Sequence, residues 1–148
     1  MTTTMPQPLS LKVSRLIKAP RERVFGALTT PAEITKWLGC GPCKAVFAKI
    51  ELRVGGEFRF RMQSQEGEFH IFGAYREITA PSRLVFTWNY ENCGPAEDGC
   101  ESKVTIDLSE KDSGTLVEIT HEGLPNKESC DNHTSGWSDC LEHIAELA

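Results

Sequence analysis

The sequence predicts an α+β domain: a curved antiparallel sheet of about seven strands around one long C-terminal helix, with two short helices after the first strand. Three observations carry this. From Leu9 to His121 most apolar residues recur with period two, in runs separated by turn signals. Between Pro20 and Leu38 the period is helical instead. From about Ser129 to Ala148, Cys130, His133, Trp137, Cys140, Leu141 and Ile144 fall on one face at about 100° per residue. A meander leaves one face open, and a helix with a single apolar stripe covers such a face.

Residues 9–17 alternate, with Leu9, Leu11, Val13 and Arg15 on one side, and read as the first strand. Ala19-Pro20 stops it. Pro20 suits a first helical turn, and Val24, Phe25 and Leu28 follow at helical spacing. Thr30-Pro31-Ala32-Glu33 offers an N-cap and a first-turn acid for a second helix carrying Ile34, Trp37 and Leu38. After Pro42, Val46, Ala48, Ile50, Leu52 and Val54 share a parity up to the turn at Gly55-Gly56. Phe58, Phe60 and Met62 alternate with Glu57, Arg59 and Arg61, a half-buried strand. Gln65-Glu66-Gly67 turns the chain. Phe69 to Ile78 is a strand, and Gly73 marks a bulge or a close backbone approach. Pro81-Ser82 ends it. Leu84, Phe86, Trp88 and Tyr90 form the next strand, and polar residues 91–100 a loop. Val104, Ile106 and Leu108, then Asp112-Ser113-Gly114, then Val117, Ile119 and His121 complete the series.

A chain of 148 residues is expected to form one domain over residues 9–148, after a flexible tail at 1–8. Apolar residues are 39% and charged residues 25%, values that fit a globular core. A net charge of -5 without a basic stripe argues against nucleic acid. No apolar run reaches the roughly 18 residues that span a bilayer, so no membrane partner is expected. The first eight residues lack a signal-peptide pattern, so the expected location is cytoplasmic, where the six cysteines stay as thiols or metal ligands.

Cys40-Gly41-Pro42-Cys43 spells a thioredoxin-type motif, but such a thiol is activated at the start of a helix that follows a strand. Here helical spacing precedes and strand alternation follows, so the stretch reads as a hinge. Cys40/Cys43, Cys130/His133 and Cys140/His143 each have a two-residue gap. Zinc needs three or four converging ligands, and Cys140 and His143 point about 60° apart on a helix, so no metal and no cofactor are expected. His70, His121, His133 and His143 are each a potential acid or base. His121 has the inward parity of Val117 and Ile119.

Several segments carry a family resemblance: Ile17-Lys-Ala-Pro20 with Val24, Phe25 and Leu28; Trp37; Glu51-Leu-Arg-Val-Gly-Gly56; Gly73-Ala-Tyr-Arg-Glu-Ile78; Arg83-Leu-Val-Phe-Thr-Trp88; Thr120-His-Glu-Gly123; and His133 with Gly136-Trp137 and Leu141. In order and spacing the chain resembles the activators of the heat-shock-protein-90 ATPase, within the START-like helix-grip superfamily. The resemblance implies a sheet gripping the last helix with an apolar cavity between them. The candidate ligand-contacting residues are then Trp37, Phe58, Phe60, Trp88, His121, Trp137 and Leu141. The expected partner is a small apolar or amphipathic molecule. One alternative is an enzyme of cyclase or hydrolase type using the same cavity, with His121 and Arg59 or Arg61 as its polar groups. Another is a chaperone-interaction module, with a protein partner or a second copy as occupant.

Overall fold

The computed structural model describes residues 9–40, 43–92 and 101–148, the side chain of Cys40 excepted. The expected tail at 1–8, the centre of the hinge at Gly41-Pro42 and residues 93–100 of the expected loop, with Cys93 and Cys100, lie outside the described residues.

The elements run β1 (Leu9–Ile17), α1 (Arg21–Thr29), α2 (Pro31–Trp37), β2 (Gly39–Cys40), β3 (Cys43–Ile50), β4 (Glu57–Ser64), β5 (Gly67–Thr79), β6 (Arg83–Glu91), β7 (Ser102–Lys111), β8 (Gly114–Leu124) and α3 (Lys127–Leu147). The sheet is antiparallel, in the order β1-β8-β7-β6-β5-β4-β3-β2. Two-residue β2 is an eighth strand where the sequence suggested only a hinge. The fold is the helix-grip architecture expected, its curved sheet wrapped around α3.

Strand β4 follows from its alternation: Phe58, Phe60 and Met62 are buried, while Arg59 and Arg61 face water on the other side. Arg59 pairs with Glu91 at 2.7 Å and Arg61 with Glu68 at 3.0 Å. Both arginines therefore lie on the face away from α3, which removes them as polar groups of an interior site. In β5, a side chain on Gly73 would run into the Thr87 carbonyl and the Phe58 ring. Gly73 is thus the close approach, and the bulge comes between Tyr75 and Glu77.

Strand β3 departs from the expected parity. The register slips between Ala45 and Phe47, so Ala45 faces Met62, Ala48 faces Phe60 and Ile50 faces Phe58. One extra residue flips every side chain before it relative to those after it. Val46 and Phe47 are left exposed. The strand ends at Ile50, and Leu52 and Val54 stand in solvent before the Gly55-Gly56 turn.

Helix α1 begins one residue past Pro20, which is the cap position, and buries Val24, Ala27 and Leu28. Helix α2 opens with Pro31 and buries Ile34 and Trp37. Helix α3 starts three residues before Cys130, the first residue of the apolar stripe, because Asn126 caps it, its side chain accepting the Ser129 N–H at 2.8 Å. Trp137, Cys140, Leu141 and Ile144 are buried, and α3 packs on β1, β2, β8 and α2. Each fully buried aliphatic side chain contributes roughly 1.5–3 kcal/mol, so this stripe holds the helix in the sheet.

Candidate ligand cavity

A cavity of about 280 Å³ lies between the sheet and the N-terminal half of α3. Its floor is Met62, Phe69, Ile71, Trp88 and Tyr90 from three neighbouring strands. Its roof is Asn132, His133, Gly136, Trp137 and Cys140 of α3, and Leu38, Gly39 and Cys43 close one end. Period-two alternation brings the strand residues to one face, and helical spacing brings the α3 residues to the other. Gly136 presents no side chain, which leaves volume between sheet and helix. Among the described residues, no carboxylate, lysine or arginine lines the space.

Two polar chains border it. In the first, the Tyr90 hydroxyl is 2.6 Å from His133 Nε2, and His133 Nδ1 is 2.7 Å from the Ser129 carbonyl. A carbonyl only accepts, so Nδ1 carries the proton and Nε2 accepts from Tyr90. In the second, the Trp137 indole N–H donates to His121 Nδ1 at 3.1 Å. His121 therefore holds its proton on Nε2 and donates to Ser102 Oγ at 2.7 Å, and Ser102 donates on to the Trp88 carbonyl at 3.1 Å. Every hydrogen-bonding atom of His121 is satisfied by protein. Burial, aided by repulsion from His133, brings its pKa down to about 3, so it is neutral at physiological pH. The two imidazoles meet edge to face at 4.8 Å. The indole N–H of Trp88 is buried without a hydrogen-bond acceptor among the described residues; the rings of Trp137, His121 and Tyr90 have their centres 5.2, 5.9 and 6.3 Å from that of the Trp88 ring.

The closed end is tied down from three directions. Trp37 Nε1 donates to the Ala27 carbonyl at 2.7 Å, His143 Nδ1 donates to the Trp37 carbonyl at 3.2 Å, and the Cys140 thiol reaches the Gly39 carbonyl at 3.7 Å. Gly39 has φ of 146° and no room for a side chain beside the Cys43 carbonyl. Cys40 and Cys43 are register partners across β2 and β3. A strand, not a helix, follows Cys43, so no helix N-terminus lowers a thiol pKa there. His133 and His143 spend their Nδ1 protons on backbone carbonyls, and no three His, Cys, Asp or Glu converge for a metal among the described residues.

Of the residues singled out from sequence, Trp88 and Trp137 line the cavity. Trp37, Phe58 and Phe60 lie deeper, where with those two tryptophans they border a void of about 20 Å³. His121 sits one layer behind the wall at 0% exposure, and Leu141 is a core contact of α3. Tyr90 was not among the candidates and His133 was named only as a potential acid or base, although Tyr90 shares the parity of Trp88 and His133 lies on the helix stripe. Only the packing of β6 against α3 unites them.

The family described as "Activator of Hsp90 ATPase homolog 1-like protein" matches residues 18–148. Among solved structures, the chain is similar to protein CV1439 from Chromobacterium violaceum, with 25% identity, a TM-score of 0.81, and coverage of 95% of this chain and 98% of that one. It is similar to protein NE0264 from Nitrosomonas europaea at 27% identity and TM-score 0.78, covering 94% and 93%. An AHSA1-like protein from Aeromonas hydrophila, at 20% identity, shares the fold with a TM-score of 0.76, covering 93% and 90%. No curated protein sequence matches.

Proposed function

The chain belongs to the activator of Hsp90 ATPase homolog 1-like family, and from that membership and the cavity we propose that it binds a small, largely apolar molecule between the sheet and α3. The observation that carries this reading is a space of about 280 Å³ walled mostly by apolar and aromatic side chains, with the Tyr90–His133 pair and the Asn132 amide as polar groups among the described residues. Small-molecule sites have this composition, apolar walls with few placed polar groups. A dry cavity of about 150 Å³ accepts benzene, so this one suits a molecule on the scale of two fused rings.

Titration with naphthalene tests the reading, because Trp88 and Trp137 report on the same space. Saturable change of tryptophan emission is expected, lost in Trp88→Ala or Trp137→Ala and kept in Trp37→Phe, which lies at the deeper void. A linear, non-saturating response in the unaltered protein would rule out the site. A protein-interaction reading is favoured by one observation, the exposure of Val46, Phe47, Leu52 and Val54 along β3 and the segment after it. On that reading, Phe47→Ser with Val54→Ser would abolish association with a partner and leave naphthalene binding intact.

A further inference from the structure

The cavity's polar pair is arranged for more than holding an apolar guest. His133 Nδ1 is committed to its own helix through the Ser129 carbonyl at 2.7 Å, which turns the basic Nε2 lone pair toward Tyr90. The Tyr90 hydroxyl lies 2.6 Å from that nitrogen. A hydroxyl that donates its proton still accepts through its oxygen lone pairs. A guest hydroxyl donating to Tyr90 would thereby enter a chain that ends on a base.

We propose that the cavity takes a ring compound bearing a weakly acidic hydroxyl, a phenol or an enol, and that the Tyr90–His133 pair receives the hydroxyl proton. This rests on the ligand-binding reading above and names the ligand class for it. The guest O–H bond breaks and its proton bonds to the Tyr90 oxygen. The O–H proton of Tyr90 passes in the same motion to His133 Nε2. The products are a guest oxyanion, held by the Tyr90 hydroxyl, and an imidazolium whose second proton stays on Nδ1, donated to the Ser129 carbonyl. No electrons leave the pair.

The surroundings select for this transfer. From β8, His121 faces His133, but burial lowers its pKa and both its nitrogens are engaged by Trp137 and Ser102, so it takes no proton. Among the described residues, the other titratable groups lining the space are the thiols of Cys43 on β3 and Cys140 on α3. With no carboxylate, lysine or arginine in the lining among the described residues, the guest oxyanion itself is the counter-charge, and the apolar walls hold the two ions together. Proton transfer is favourable only where donor and acceptor acidities are near each other, so an aliphatic alcohol is excluded and an aromatic or enolic hydroxyl is admitted.

The test uses 4-nitrophenol, whose phenolate absorbs at longer wavelength than the phenol, with 4-nitrotoluene as the apolar control. Measured well below the phenol's own pKa, binding should generate the phenolate band in a saturable manner. Tyr90→Phe should remove the band and weaken 4-nitrophenol by about tenfold, leaving 4-nitrotoluene within about twofold. His133→Gln still accepts from Tyr90 but is not basic, so it should bind the phenol without the band. Saturable phenol binding with no band in the unaltered protein, or a band that persists in His133→Gln, would overturn the proposal and leave the apolar site standing. Failure of both probes to bind would remove the site and the proposal together.

Discussion

His121 is the most buried titratable ring in the described chain, and its two hydrogen bonds assign it a fixed tautomer, with the proton on Nε2 toward Ser102. Protonating Nδ1 would set two donors against each other at Trp137. Its native pKa near 3 lies below the ordinary 6.5 that holds in the unfolded chain. Above pH 6.5 both states are neutral at this ring and its contribution to stability is complete. As pH falls through 6.5 toward 3, the unfolded chain takes the proton and the native state does not, so stability drops by up to about 1.4 kcal/mol per unit. Urea unfolding between about pH 6.5 and 5, above the main carboxylate titration, isolates the effect. The unaltered protein should lose about 1–2 kcal/mol more across that window than His121→Gln, which can accept from Trp137 and donate to Ser102. Parallel pH dependences would mean that the native ring takes up a proton.

At the scale of elements, α3 is held by a narrow stripe. Leu141 is 2% exposed and Ile144 0%, with Trp137 over Trp88 at 5.2 Å between ring centres. Leu141→Ala should therefore cost about 2–5 kcal/mol, the lost burial plus the cavity left behind. A cost under about 0.5 kcal/mol in urea unfolding would mean that the stripe does not face the sheet. The same stripe shows what was legible in advance. Period alone located α3, β4 and β8, because every inward residue of Phe58, Phe60 and Met62, or of Val117, Ile119 and His121, obeys one local rule. It misplaced β3, because a bulge at Val46 is a decision of strand pairing and leaves no local mark in composition. It missed the Tyr90–His133 contact for a related reason. Each residue had the correct face, but the sequence separation of 43 is bridged only by the sheet order and by where Asn126 starts α3.

At the scale of the whole molecule, the cavity exists because the curved sheet and α3 part company toward the N-terminal half of the helix. Near the C-terminal half, Leu141 and Ile144 fill the gap, and α3 is tied to α2 through His143 and to β2 through Cys140. Near the N-terminal half, Gly136 and the half-buried His133 leave a gap above the floor of Met62, Ile71 and Trp88. A glycine inside a helix costs about 1 kcal/mol relative to a good helix former, and an apolar space left unfilled forfeits packing as well. Stability is therefore spent at this position, and on the proposed ligand-binding reading a guest would recover what an aliphatic side chain would have supplied. Gly136→Leu separates the two effects. The variant places a side chain at a position that lines the cavity, leaning toward the N-terminal turn of its own helix. It should hold or raise the melting temperature, with a gain of about 1 kcal/mol from helix propensity alone, while weakening naphthalene binding by at least about tenfold through occupied volume. Thermal unfolding and tryptophan emission read the two outcomes on the same sample. If Gly136→Leu instead bound naphthalene as well as the unaltered protein, the guest would lie elsewhere and the gap beside Gly136 would be a packing defect without a role in binding.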